Sequence, residues 1–207
     1  MATHAPTAST TPVALPATPA HPATSAPPAS TSPPAPPASP ATFITHPTPL
    51  GDVVLSIRAD SLAGLWFAAD QTHIPAWAAK SRRSDDPPTP VHIAATNWVD
   101  AYFAGDKPSF ELPLHLEGSE FQQTVWALLL LIPYGKTVTY GELAREIAHL
   151  QQRERPPAAQ AIGGAVGRNP ISLIVPCHRV VGSSGKLTGY AGGLNRKRAL
   201  LELEGIL

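Results

Sequence analysis

The sequence predicts an α+β protein: a small mixed sheet-and-helix unit followed by a mainly helical unit carrying a helix-turn-helix. Three observations predict it. Two apolar segments, 51–57 and 62–68, flank a short polar turn, as in a β-hairpin. Two capping boxes, Ser119 with Gln122 and Thr139 with Glu142, each open a segment whose apolar residues recur every three or four positions. Proline is unevenly spread: twelve of the twenty-five fall in residues 1–40.

The proline-rich start sets the first boundary. Residues 1–42 are built almost wholly from Ala, Pro, Thr and Ser, and no Asp, Glu, Lys or Arg precedes Asp52. Proline fixes φ and removes a donor, and the tract has little bulk to bury, so it is read as a disordered tail of polyproline II character. It shows no P-x-x-P motif with a basic flank, the pattern a Pro-binding module would take. Order is expected from Phe43.

Residues 43–117 form the first folded unit. Gly51–Ile57 and Leu62–Ala68 read as two strands joined by a turn at Arg58–Ser61, and Lys80–Pro90 as a polar, Pro-rich loop. Ile93–Phe103 has helical spacing through Ala94, Trp98 and Tyr102. Phe110, Leu112, Leu114 and Leu116 alternate, which predicts one more strand.

Residues 118–207 form the second unit. Phe121, Val125, Leu128 and Ile132 continue the first capped helix until Tyr134–Gly135 breaks it. Tyr140 stands on the first turn of the second, followed by Leu143 and Ile147. After a hydrophilic loop, Ala158–Arg168 carries Ala159, Ile162 and Val166 at helical spacing. Two short helices joined by a turn suggest a helix-turn-helix, a shape shared by plain αα-hairpins. The second helix is nearly bare: Ala161, Gly163, Gly164, Ala165 and Gly167 sit in one segment. Each glycine costs about 1 kcal/mol relative to Ala inside a helix. Such bareness implies the close approach of DNA, or of another helix. Ile171–Val175 then reads as a short buried strand running into Pro176-Cys177-His178-Arg179-Val180. A Gly/Ser turn (182–185) and a glycine-rich loop (189–193) lead to a last helix, Arg196–Glu204, stopped by Gly205.

Formal net charge is zero, an average that argues against nucleic acid. The distribution does not. Residues before Gly118 carry five basic against nine acidic side chains, net −4; from Gly118 on, ten face six, net +4. Positive charge therefore accompanies the helix-turn-helix. One cysteine excludes an intramolecular disulfide and a Cys-rich zinc site, and fits a reducing compartment. The longest apolar stretch, Val125–Pro133, is too short to span a bilayer. The N-terminus has neither the pattern of a secretory signal nor the arginines of a mitochondrial transit peptide, so a cytoplasmic protein is expected.

Cys177 is the candidate nucleophile. A thiol attacks as thiolate, its ordinary pKa is about 8.5, and a neighbouring His held by a carboxylate can take its proton. Adjacent side chains of a strand point to opposite faces, so Cys177 and His178 can cooperate only through a bend or a bridging water. Pro176 favours the bend. Alone, a Cys beside a His equally describes a buried structural cysteine.

The wider string is more specific. Pro176-Cys177-His178-Arg179-Val180 resembles the active-site signature of the O6-alkylguanine-DNA alkyltransferases, the methylated-DNA–protein-cysteine methyltransferases. The similarity extends through Phe121-Gln122, Val125-Trp126, Tyr140–Ala144, Gly163-Gly164-Ala165, Asn169-Pro170, Gly189–Leu194 and Lys197 to Glu204-Gly205. Thr48–Gly51 is similar to the start of that family's N-terminal domain, so the resemblance runs from about residue 45 to the end.

The resemblance implies a ribonuclease-H-like first domain and a winged helix-turn-helix second domain. It implies irreversible, single-turnover transfer of a methyl or other alkyl group from O6-alkylguanine to Cys177, with O4-alkylthymine as a further candidate. Base flipping would precede transfer. His178 would help deprotonate Cys177 through a water, and Glu204 would hold His178. Tyr140 would donate a proton toward the guanine ring, and Asn169 would brace the turn before the active-site strand. Val175, Tyr190 and Ala191 would line the guanine pocket, and Arg179 would serve in an ion pair. Tyr140, Gln160, Ala161, Gly163, Gly164 and Arg168 would meet double-stranded DNA in its minor groove. A monomer with no metal and no organic cofactor is implied.

The sequence departs from the family pattern at one point. Where the family places an arginine to fill the space of the flipped base, this chain has Gln160, and the preceding loop, 149–157, is long and carries Arg153 and Arg155. Two competing readings are a lesion-binding protein that transfers nothing and a cysteine hydrolase. Retention of Cys177 argues against the first. The second lacks a separate His–Asn/Asp signature and leaves the helix-turn-helix unexplained.

Overall fold

A computed structural model describes residues 41–207 except 70–73, 85–86 and 109–110. The chain begins with β1 (Thr42–His46), β2 (Val53–Arg58) and β3 (Ser61–Phe67), and a two-residue β4 (Arg82–Arg83) follows. They form one sheet of order β3-β2-β1-β4, antiparallel except for the parallel β1–β4 pair. The hairpin lies where the two apolar segments and the turn at 58–61 predict it. Its turn residues Ala59 and Asp60 both have positive φ, 47° and 57°, the type I′ geometry that matches strand twist. β1 and β4 are additions to the sequence reading: β1 begins at the edge of the proline tract, and β4 lies inside the expected loop.

Helix α1 (Pro90–Phe103) covers the sheet. Thr89 caps it and His92 completes a capping box in place of the usual acid or amide; proline at the first helical position needs no hydrogen bond. Its buried face carries Ala95, Trp98, Val99 and Tyr102, while Ala94 is only half-buried.

The strand expected at 110–116 is not formed. Phe110 lies outside the described residues, and from Glu111 on only Leu114 makes a bridge, to Leu62. Pro113 has no N–H and cannot continue a ladder, though its carbonyl accepts from Leu62 at 2.8 Å.

The second unit contains α2 (Glu120–Leu130), β5 (Val138–Thr139), α3 (Tyr140–Leu150), α4 (Ala159–Gly167), β6 (Val180–Val181) and α5 (Leu194–Leu203). Both expected capping boxes are present, at Ser119/Gln122 and Thr139/Glu142. α4 packs on α2 and α3, and the Trp126 indole of α2 donates to the Ala165 carbonyl of α4 at 2.9 Å. β5 and β6 pair in parallel, fastening the start of α3 to the chain just past Cys177.

Ile171–Val175 is buried as expected except for the half-buried Ile174, but it is not a strand. Only Ile171 pairs, with Leu65 of β3, and the chain then turns, with Leu173 at φ 67°. The outer edge of β3 is thus bridged by two short pieces, Leu114 and Ile171, and the second joins the two units. One apolar core runs through both, from Val53, Leu55 and Phe67 to Val125, Leu143 and Leu200. No helix among the described residues is long and apolar enough to cross a membrane.

Candidate active site

The site starts from a turn. After α4, the Asn169 side-chain amide donates to the carbonyls of Val175 (2.8 Å) and Ile171 (3.2 Å), while its oxygen accepts from the Ile171 N–H (3.0 Å). One buried side chain thereby satisfies a loop that has no ladder of its own. Pro176 follows, and Cys177–Arg179 form a single 3-10 turn. This is the bend that adjacent Cys and His need, and it replaces the expected strand geometry.

Cys177 is only 4 % exposed and borders a cavity of about 250 Å³. Tyr140 of α3, the α4 residues Gly163, Val166 and Gly167, and the loop residues Gly189, Tyr190 and Ala191 complete its wall. Burial pushes the thiol up; the Asn169 side chain and the Lys197 charge pull the other way. Burial also raises the Tyr140 phenol, so it stays protonated and able to donate.

His178 is fully buried, and its Nε2 lies 2.8 Å from Glu204 Oε1. A carboxylate only accepts, so Nε2 carries the proton and the lone pair sits on Nδ1, which is buried without a hydrogen-bond partner among the described residues. Burial holds His178 below its ordinary 6.5, against the opposing pull of Glu204. The neutral ring is therefore a base with its acceptor nitrogen free.

Glu204 caps α5 and is the hub of the interior. Arg179 donates to it from Nε (2.9 Å to Oε2) and Nη2 (3.0 Å to Oε1), Tyr102 Oη at 2.7 Å, and the Gly135 N–H at 3.1 Å. Burial opposes its charge, but the hydrogen bonds and charges of His178 and Arg179 prevail and hold the carboxyl at about 2. Arg179 also donates to the Ile132 carbonyl at 2.7 Å, so it lies in an ion pair.

Of the residues singled out in the sequence, Cys177, Tyr140, Gly163, Tyr190 and Ala191 meet at the cavity, with His178 and Glu204 adjoining and Asn169 bracing the turn. Val175 is fully buried behind the cavity wall, and its carbonyl accepts from the Asn169 amide and the Cys177 N–H. Gln160, Ala161 and Arg168 are exposed on α4, Gly164 is half-buried, and the Arg168 guanidinium folds back onto the Gly164 carbonyl at 3.1 Å.

The bare face of α4 is not explained by packing alone. A Cβ at Gly163 would meet only a Tyr140 ring carbon at 3.9 Å, and one at Gly167 would meet nothing within 4 Å.

Two residues were not foreseen as part of the site. Lys197 is fully buried, and its ammonium donates to the carbonyls of Val180 (2.5 Å), Thr188 (2.6 Å) and Gly189 (3.2 Å), which ties β6 to the loop over the cavity. Burial lowers it to about 8. The signal was its place on one helical face with Leu200 and Leu201. The other is Tyr102, a tyrosine on an apolar helical face, where a buried hydroxyl needs a partner.

A poised thiol beside a His–Glu pair, opening on a cavity walled by a bare helix of a helix-turn-helix, defines a cysteine-nucleophile protein built on a DNA-binding type of scaffold. A family model described as 6-O-methylguanine DNA methyltransferase, DNA binding domain, matches residues 120–206, and the ribonuclease-like domain of the same family matches residues 42–116. The chain belongs to the 6-O-methylguanine DNA methyltransferase family, as the sequence resemblance implied. It is 48 % identical over 160 residues to the methylated-DNA–protein-cysteine methyltransferase of Mycobacterium bovis, covering 77 % of this chain and 90 % of that one. The protein of the same name from Methanosarcina barkeri is 52 % identical over 159 residues, covering 76 % and 92 %. A crystal structure of Mycobacterium tuberculosis OGT in complex with DNA superposes with a TM-score of 0.67 at 45 % identity, covering 79 % of this chain and 92 % of that one. The α+β class, with a small sheet unit before a helical one, agrees with these relatives.

Proposed function

We propose that the protein repairs DNA by direct reversal, moving an alkyl group from O6 of guanine to the sulfur of Cys177. One observation carries this: Cys177 borders a cavity of about 250 Å³ while the neighbouring His178 presents a free buried Nδ1 and is held by Glu204.

The chemistry follows from the groups present. Burial keeps the resting thiol protonated, so the nucleophile is made in place. The thiol proton passes through one water to His178 Nδ1, and the sulfur attacks the alkyl carbon. The S–C bond forms as the C–O bond breaks, the electron pair leaving with guanine. Tyr140 gives its phenolic proton to the guanine ring, and the imidazolium and phenolate then re-equilibrate with water. Normal guanine and an S-alkyl cysteine remain. A thioether is not reversed by these groups, so each molecule acts once.

A base stacked in a duplex cannot reach this cavity, so the nucleotide must be flipped out. The bare α4 lets the minor groove approach closely, with Gln160, Ala161, Gly163, Gly164 and Arg168 along it and Tyr140 at the cavity. Gln160 would fill the gap left by the flipped base less well than an arginine, unless the exposed Arg153 or Arg155 of the preceding loop takes its place. The acting species is a cytoplasmic monomer, and O4-alkylthymine is a second substrate to test.

Incubation with an oligonucleotide carrying O6-methylguanine labelled in the methyl group tests the proposal. One equivalent of label on Cys177, absent from Cys177→Ala, is expected. Tight binding without label would show a lesion-binding protein, and repeated turnover of an ester or amide would show a hydrolase.

A further inference from the structure

The His178–Glu204 pair is held from both units. Tyr102 lies on α1, 102 residues from Glu204 in sequence. Its side chain is fully buried, its hydroxyl 2.7 Å from Glu204 Oε1 and 3.3 Å from His178 Nε2. It therefore sits in the corner between the acceptor and the donor of the pair.

Packing explains the ring but not the hydroxyl. The ring stacks on Trp98, centroids 5.5 Å apart at 8°, and meets Phe103 and Tyr134 edge-on. A phenylalanine would keep all of these contacts. A buried hydroxyl carries a desolvation cost, so its retention calls for a specific bond. Charge on Glu204 is already balanced by the bidentate Arg179. What the hydroxyl adds is direction: it donates to the same Oε1 that accepts from His178, and standing 3.3 Å from Nε2 it limits where that nitrogen can swing.

We propose that Tyr102 is a positioning residue for alkyl transfer, through which the N-terminal unit fixes the orientation and proton placement of His178. The inference rests on the function proposed above. Among the described residues, the groups facing His178 are Glu204, Arg179, Lys197 and the phenols of Tyr102 and Tyr190, with Cys177 its neighbour in the chain. Of these, only the Tyr102 phenol comes from the first unit. Its O–H takes up part of the accepting capacity of Oε1. Without it, Glu204 would hold the His178 proton more strongly and favour the imidazolium.

Full-length Tyr102→Phe is the test, with Phe103→Leu as the control. Phe103 touches the Tyr102 ring but not Glu204. Two quantities are read: the His178 titration midpoint by NMR, and the single-turnover transfer rate against pH. In Tyr102→Phe the His178 midpoint should rise, and the rate at neutral pH should fall roughly tenfold, the effect of one lost bond to a charged group. In Phe103→Leu the midpoint should not move. An unmoved or lowered midpoint in Tyr102→Phe, or the same shift in both variants, overturns the inference. Absence of label on the parent protein would refute the proposed function instead, and the midpoint would still decide the placement of Tyr102.

Discussion

Replacing Glu204 by Gln tests the interior of the site most severely. The Glu204 side chain is fully buried and receives bonds from Arg179, His178, Tyr102 and the Gly135 N–H. Every one of these groups points a hydrogen at it. A glutamine keeps the shape, but its NH₂ must face one of those donors, and Arg179, 8 % exposed, loses its counter-charge. Removing one partner of a buried ion pair costs about 3–5 kcal/mol. The acidity of Glu204, set by the same partners, points the same way. A carboxyl held at about 2 against an ordinary 4.5 corresponds to roughly 3 kcal/mol at neutral pH. The sign is fixed by the direction of the shift: this stability is complete above 4.5 and disappears as pH falls toward 2. Urea denaturation of both proteins across that range should show Glu204→Gln less stable by about 3–5 kcal/mol at neutral pH, with the gap closing in acid. A loss below about 1 kcal/mol, the worth of an exposed pair, would refute the view of Glu204 as hub.

Three further outcomes follow. Gly163→Ala should raise stability by up to about 1 kcal/mol, because the added methyl meets only ordinary contact and glycine is the poorer helix former, yet weaken duplex binding; unchanged affinity in a duplex titration would show that α4 does not meet the groove. Gln160→Arg should bind or repair duplex DNA better than the parent, and an unchanged or lower single-turnover rate would point to Arg153 or Arg155 as the filler. The transfer rate should fall with acid through a midpoint below 6.5, since burial lowers His178 and the base acts only while neutral; a midpoint above 6.5 would exclude His178 as the base.

Much of the fold was legible because it depends on local rules. The hairpin shows itself through two apolar segments around a turn, α1 through helical spacing, and the next two helices through spacing and a capping box. The failures are equally physical. Ile171–Val175 reads as a strand because it is mostly apolar and rich in β-branched residues, but after a single bridge to Leu65 of β3 the chain turns, and its remaining hydrogen bonds are local or go to the Asn169 side chain. The 110–116 segment alternates correctly and is stopped by Pro113. β4 is only two residues long and pairs with a strand some forty positions away, beyond any local signal.

The site divides along the same line. Cys177, His178 and Tyr140 are named by a contiguous string or by a helix start, so sequence reaches them. Tyr102 and Lys197 act across distance and look like an apolar helix residue and a surface lysine until the chain folds. The N-terminal unit thereby acquires a role that its acidic, apparently unrelated sequence hides. Leu65 donates to the Pro170 carbonyl and accepts from the Ser172 N–H, fixing the turn that Asn169 braces. Arg196 on α5 reaches back to the Leu50 carbonyl and lies over the Phe67 ring. With Tyr102 on Glu204, the sheet unit therefore holds the turn before Cys177, the helix that bears Glu204, and the pair that would take the thiol's proton. A nucleophile this buried must be aligned before its substrate arrives, and most of the alignment comes from outside the string that identifies it.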